Sequence, residues 1–296
     1  MILKNKQYKG DLLLIIVVML WGSTFPIMKY IIEGINPFFL IAVRFTVALL
    51  ALLFFLKNRV ANVSHHSIKK GLMLGLLLFS GYCLQVIGLK FTTASRSSLI
   101  TGLAVVVVPL ILVFLLKKIP DLFSCLGIIL SIIGLFLLTE TNGNQGFNYG
   151  DFLTVLCSFF FALHIVLLDK YLKKEDPLIL TFIQLAVTAI AAYLFAYFDN
   201  GIGRIDYVSA AVILYTGLLA TALAYYLQSY AQQYTTPTHA ALVFTLEPVF
   251  GALFSFLFLG EALGRNGLTG GFFIISGMLL AELKPGKKKK RRLSNG

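Results

Sequence analysis

Ten apolar runs, most of them without a single charge, occupy this 296-residue chain from end to end. The clearest are Gly71–Leu89, Ser97–Leu116, Leu122–Thr139, Leu178–Phe198, Tyr207–Ala231 and Asn266–Ala281. Leu12–Met28, Pro37–Leu56, Phe152–Leu168 and Ala240–Leu259 complete the set, some with one ionisable residue inside. Each approaches the roughly 20 residues that cross a bilayer as a helix. In hydrocarbon such runs must be helical, because an open strand leaves its backbone groups unpaired. A chain that is 58% hydrophobic and 13% charged has too little polar surface to face water on all sides. The fold class read from this pattern is an all-α polytopic membrane protein with ten transmembrane helices, short loops and no soluble domain.

The second five spans read as a degraded copy of the first five. A shift of 143 residues lays Tyr82-x-Leu84-Gln85 on Tyr225-x-Leu227-Gln228, Thr92-Thr93 on Thr235-Thr236, Leu99 on Leu242, Leu110 on Leu253 and Gly134 on Gly277. Nearer the N-terminus a shift of 140 lays Gly10-Asp11 on Gly150-Asp151, Pro37 on Pro177 and Phe55 on Phe195. Leucine matches arise by chance in apolar sequence, so the Tyr, Gln, Thr-Thr and Gly-Asp matches carry the weight. The expected division is 1–141 for the first repeat, 142–284 for the second and 285–296 for a basic tail. An odd number of spans per copy makes the two five-helix repeats inverted, a recurrent build of secondary transporters with the site near the midplane.

A net charge of +12 invites a nucleic-acid reading, but the distribution of that charge points elsewhere. With ten spans, the side holding both termini carries 19 of the 25 Lys and Arg, and Lys90, Arg96, Arg204 and Arg265 lie opposite. By the positive-inside rule both termini are cytoplasmic, in a multi-pass protein of the cell membrane. The Lys-Arg run from Lys287 to Arg292 is a solvated tail, with anionic lipid as a possible contact worth about 1 kcal/mol per basic residue near the surface. Cys83, Cys125 and Cys157 lie inside apolar runs, so no disulfide framework follows. His65-His66 has no further ligand cluster nearby and reads as a solvated loop; no metal or cofactor is expected. Trp21-Gly22-Ser23-Thr24-Phe25-Pro26 is a poor signal-peptidase site, so the first run reads as a retained signal anchor.

Polar residues inside the runs are the candidates for a transport path. Trp21 lies about ten residues deep, below the interfacial aromatic belt. Pro26 leaves the Gly22 carbonyl without its helical partner, beside Ser23 and Thr24. Two readings stand: a helix broken to present backbone to a solute, or a kink with tight glycine packing. Tyr82 with Gln85 and Tyr225 with Gln228 each place a phenol and an amide on one helix face. They suit a wet cavity or interhelical hydrogen bonds. Ser97 and Thr101 extend that polar stripe into the fourth span. Glu247, followed at once by Pro248, is an intramembrane carboxyl and by default marks a pathway or relay. Arg44, Lys29 and His164 are its candidate partners; a structural Glu–Arg pair competes with a role in binding a substrate ammonium or relaying a proton. His164 itself reads as a core histidine or a proton relay.

These motifs resemble a known family. Trp21 to Pro26 is similar to the first-helix signature of the EamA family of the drug/metabolite transporter superfamily. Gln85-x-x-Gly88-Leu89-Lys90-x-Thr92-Thr93-Ala94 resembles its third-to-fourth-helix junction, and Glu247-Pro248-Val249-Phe250-Gly251 through Leu259-Gly260-Glu261 its second-copy hallmark. The resemblance implies two inverted five-helix units around a cavity lined by the first, third, fourth, sixth, eighth and ninth helices. It also implies a small-molecule substrate: amino acids, sugars, nucleotide derivatives or drugs, often exported. Phe161-Ala162-Leu163-His164 stands in the sixth span where the first has Trp21-Gly22-Ser23-Thr24, so the cavity should be chemically asymmetric. The resulting reading is a carrier, most simply an exporter of amino acids or related compounds by alternating access. Trp21, Tyr82 and Tyr225 would form aromatic walls, Ser23, Thr24, Gln85, Thr101 and Gln228 hydrogen bonds, and Glu247 the charge. An intramembrane enzyme would need His-Glu-x-x-His, Gly-x-Ser-x-Gly or a paired Asp motif, and the chain has none. Midplane polar groups in both copies argue against a structural or receptor-like protein.

Overall fold

The computed structural model describes residues 2–56, 63–116, 122–139, 146–199, 201, 205–235 and 237–282. The basic positions Lys57, Arg59, Lys117, Lys118 and Arg204, the repeat position Thr236, the linker positions 140–145 and the tail from 283 onward lie outside them. Every regular element among the described residues is a helix. Among the described residues nine helical spans are long and apolar enough to cross a membrane. A tenth helix, α13 (Arg265–Glu282), has 18 residues but opens on Arg265-Asn266 and is more polar.

Among the uninterrupted α-helices are α2 (Pro37–Leu56), α6 (Leu122–Thr139), α7 (Tyr149–Leu172) and α8 (Pro177–Phe198). Helix α3 (His65–Phe91) starts on a Ser64 cap, and α7 on a capping box in which Asn148 and Asp151 satisfy each other's backbone N–H. The flanks facing away from the bundle are apolar: Phe54 is 82% and Phe114 86% exposed. That surface suits lipid and would be a liability in water.

The first helix, α1 (Ile2–Ile31), runs unbroken through Pro26, contrary to the broken helix expected there. Ser23 and Thr24 donate back to the Leu20 and Trp21 carbonyls, both at 2.7 Å, and keep the turn closed. Gly22 packs against α12 (Leu246–Leu259), where an added Cβ would lie 2.7 Å from the Phe250 Cβ. Of the two readings for this segment, the structure holds the tight glycine packing.

The breaks occur elsewhere. The fourth span divides into α4 (Ala94–Thr101) and α5 (Ala104–Leu116), joined by a tight turn in which the Leu103 N–H donates to the Ile100 carbonyl. The ninth divides into α11 (Pro237–Phe244) and α12 at Thr245, just before Pro248, which has no N–H to give. Gly102 and Pro248 meet where the two breaks face each other: a Cβ on Gly102 would be 2.9 Å from the Pro248 Cγ. The eighth span carries a different irregularity, a π-helical turn at Leu218–Leu223 between α9 (Tyr207–Gly217) and α10 (Ala224–Gln232). Small residues bring backbones together throughout. Gly127 closes on the Gly277 carbonyl and Gly134 on the Gly270 carbonyl, so α6 and α13 run antiparallel in direct backbone contact.

Candidate functional site: a cavity between the broken helices

The cavity follows from those breaks. Six spans converge on one cavity: α1, α3, the α4–α5 turn, α7, α10 and the α11–α12 junction. These are the first, third, fourth, sixth, eighth and ninth spans, the set the resemblance implies.

Of the residues singled out in the sequence, Trp21, Thr24, Tyr82, Gln85, Thr101, His164, Tyr225, Gln228 and Glu247 line this cavity. Ser23 does not reach it. Successive helical residues turn by about 100°, so Trp21 and Thr24 share a face while Ser23 points away. Its hydroxyl pairs with the Tyr215 hydroxyl at 2.7 Å instead. Ser97 is buried, and its hydroxyl has no partner among the described residues.

The walls are built by mutual support. Trp21 packs against Tyr225 and Phe244 with ring centroids 5.3 and 5.8 Å apart, and its Nε1 donates to the Ala220 carbonyl at 3.0 Å. Ala220 lies in the π-helical turn, whose wider spacing loosens the usual carbonyl pairing. The Tyr225 hydroxyl donates to the Tyr82 hydroxyl at 2.9 Å, joining two residues 143 apart in sequence. Gln85 Nε2 donates to Thr101 Oγ1 at 3.3 Å, whereas the Gln228 carbonyl oxygen has no hydrogen-bond partner.

Glu247 is half-buried in the first turn of α12, where the helix N-terminus favours a negative charge. Among the described residues its carboxyl makes no ion pair or hydrogen bond. Each expected partner is engaged elsewhere. Arg44 Nε donates to Thr221 Oγ1 at 2.7 Å. Lys29 Nζ reaches the Leu89 and Lys90 carbonyls at 2.8 and 3.3 Å. His164 Nε2 shares a hydrogen bond with Gln184 Oε1 at 2.7 Å. The carboxyl that faces the cavity is therefore available to a ligand. No group of three or more His, Cys, Asp or Glu is placed to hold a metal among the described residues.

The lining residues fall into pairs related by the two sequence shifts. Trp21 corresponds to Phe161, Thr24 to His164, Tyr82 to Tyr225, Gln85 to Gln228, Thr101 to Phe244 and Ala104 to Glu247, and all twelve line the cavity. The breaks correspond as well, Gly102-Leu103 with Thr245-Leu246. Phe161 and Phe244 were missed as site residues. Carrying the shift through every chosen position would have found them.

Known proteins carry the same sequence pattern. A profile of the EamA-like transporter family matches residues 8–140 and again 148–283. An uncharacterized transporter of Archaeoglobus fulgidus is 34% identical over 279 residues, covering 94% of this chain and 87% of its own length. A second from the same organism is 29% identical, covering 93% and 98%. The uncharacterized transporter YdfC of Bacillus subtilis is 24% identical, covering 92% and 90%. A solved structure described only as a crystal structure of a protein superposes with a TM-score of 0.70 at 17% identity, covering 93% of this chain and 96% of its own; that likeness speaks for the fold alone. With its family profile matched twice across nearly the whole length, this multi-pass membrane protein belongs to the EamA-like transporter family.

Proposed function

We propose that the chain carries a small organic solute across the membrane through this cavity by alternating access, as an exporter of amino acids or related compounds. The observation that carries the reading is Glu247: an unpaired carboxyl facing a cavity walled by matched aromatic and amide residues. Ionising a carboxyl without a protein partner at membrane depth is costly, and a cationic group on the solute would offset that cost. Tyr82, Tyr225, Trp21 and Phe161 would pack the solute's apolar body, while Thr24, Gln85, Thr101, His164 and Gln228 offer hydrogen bonds.

Alternating access is most simply read from two inverted repeats, 1–141 and 142–284. Three contacts support that arrangement. Tyr82 meets its own counterpart Tyr225. Gly88 of α3 packs on Gly150 of α7, and their counterparts Ala231 and Gly10 pack on each other. The last helix of each copy, α6 and α13, cross antiparallel through Gly127–Gly277 and Gly134–Gly270, which are again counterparts. Parallel repeats would set those two helices in the same direction.

The Lys and Arg distribution supports termini in the cytoplasm. A cysteine at Asn144 in a Cys-free version is expected to react with an impermeant thiol reagent from outside, and one at Ser294 only after permeabilisation. Both positions lie outside the described residues. The transport reading is tested by reconstitution in liposomes with a panel of amino acids, sugars, nucleotide derivatives and hydrophobic cations. Counterflow of an amino acid that Glu247→Gln abolishes supports the reading. Movement of only another class reassigns the substrate, and movement of none removes the function.

A further inference from the structure

Arg44 of α2 is 2% exposed, yet no acid lies within ion-pair distance of it among the described residues. Thr221 takes its Nε and the Tyr82 ring lies 5.1 Å from its guanidinium carbon, but Nη2 has no hydrogen-bond partner. A buried guanidinium in that condition is costly unless an anion joins it. It also borders a small recess with Gln85 and Leu89, and the recess shares Thr24, Phe25 and Gln85 with the main cavity.

The repeat indicates what the recess is. The counterpart of Arg44 at a shift of 140 is Gln184, and that of Thr24 is His164. In the second copy the His164 ring reaches Gln184 at 2.7 Å, so side chain meets side chain. In the first copy Thr24 is too short to do this, and its hydroxyl turns back to the Trp21 carbonyl. One member of a matched pair of positions is thus filled by protein, and the other is left hollow beside a cation. Glu247, the other charged group left without a partner, lines the main cavity with Tyr82 and Tyr225.

We propose that Arg44 is a recessed anion subsite, in which Nη2 receives the carboxylate of a solute whose ammonium group faces Glu247. The inference rests on the transport reading above and adds to it the group that takes the solute's carboxylate. A zwitterion satisfies both lone charges at once, whereas a simple amine leaves Arg44 unpaired and a simple acid leaves Glu247 unpaired.

Trp21 is the single tryptophan of the chain and lines the cavity, so its fluorescence reports on occupancy in purified protein. The probes are the common L-amino acids and, for the tightest, its decarboxylated amine and its deaminated acid. Wild-type protein is expected to bind the amino acid at least about 30-fold more tightly than either analogue, as for a buried charge-assisted contact. Arg44→Gln should weaken the amino acid to the level of the amine and leave the amine unchanged, and Arg44→Lys should recover part of the difference. An unchanged ratio of amino acid to amine in Arg44→Gln overturns the subsite. So does a wild-type protein that binds amines as tightly as amino acids, or one that binds no amino acid. These results leave transport itself standing if liposomes still move another solute. The wild-type comparison needs no variant; should Arg44→Gln fail to fold, the apolar pair Arg44→Met with Thr221→Val replaces it.

Discussion

Buried charge is treated in opposite ways at the end of the bundle away from the termini and at its middle. At the end, Arg96 of α4 and Asp151 of α7 face each other in an ion pair, 4% and 0% exposed. Thr92 donates to the same aspartate at 2.7 Å, as does the Asn148 backbone at 3.1 Å. Beside them Glu261 takes the Ala94 and Ser95 N–H groups at the start of α4, at 3.1 and 2.9 Å, and the Ser95 hydroxyl. This carboxylate joins the end of the ninth span to the junction of the third and fourth. In the middle, Glu247 has no partner and Arg44 has one hydroxyl. Where charge serves architecture the protein supplies a counter-charge or a set of hydrogen-bond donors. At Glu247, which lines the cavity, and at Arg44, which lines the recess beside it, no counter-charge is supplied.

The sharpest way to break this contrast is to remove one member of the paired set. Asp151→Asn should leave Arg96 buried without its anion and cost about 3–5 kcal/mol. The check is melting temperature in detergent; replacing both residues by apolar ones should recover most of the loss. A small shift would mean that the end is no better compensated than the middle. Glu247→Gln should do the reverse. It should leave the melting temperature within a few degrees and reduce liposome uptake by about 100-fold, equivalent to about 2.7 kcal/mol of lost substrate interaction. Full uptake with an unchanged pH profile would remove Glu247 from the mechanism. A marked loss of stability rescued by Arg44→Met would instead restore the structural Glu–Arg pair.

Smaller effects sharpen the comparison. Trp21→Phe keeps an aromatic wall but strands the Ala220 carbonyl, costing about 1 kcal/mol in stability, with uptake falling only a few-fold. If uptake vanishes while stability holds, the indole N–H touches the solute. The smallest effect is expected at the other end. Glu175 is slightly disfavoured as an anion by burial, but the bonds from Lys70 at 2.6 Å and Ser67 at 2.5 Å outweigh this and hold its carboxyl below the usual range. Its folded-state pKa is thus lower than its unfolded one. The stabilisation is complete above the ordinary carboxylate value of about 4.3 and fades as pH falls through the lowered one. Being solvent-screened, it should amount to less than about 1 kcal/mol in a Glu175→Gln comparison of melting curves at pH 7 and pH 3.

The spans were legible because lipid tolerates so few alternatives: an uncharged run of this length has one backbone solution. The phenol–amide pairs were legible for a related reason, since a spacing of three puts Tyr82 with Gln85 on one face and the same spacing recurs at Tyr225. The breaks were harder. Pro248 marks the ninth span, but in the fourth only Gly102 hints at a turn, and Pro109 lies well inside the α5 helix that follows. The π-helical turn lies in Leu218-Leu219-Ala220-Thr221-Ala222-Leu223, which differs in no visible way from ordinary helix. The partner of Arg44 was misjudged from charge alone. Thr221 is 177 residues away and uncharged, and only the packing of α2 on the π turn brings it within 2.7 Å.

That π turn has a consequence for the phase of the eighth span. A π turn holds one residue more than an α turn spanning the same rise. Everything beyond it is therefore rotated by about 100° from where an unbroken α-helix would place it. Upstream, Tyr215 looks toward Ser23; downstream, Tyr225 and Gln228 look into the cavity. Deleting Leu219 would let the span close into regular helix and turn both side chains out of line with Tyr82 and Gln85. The correspondence between the two halves of the cavity thus depends on one surplus residue in a stretch with no polar chemistry of its own beyond Thr221.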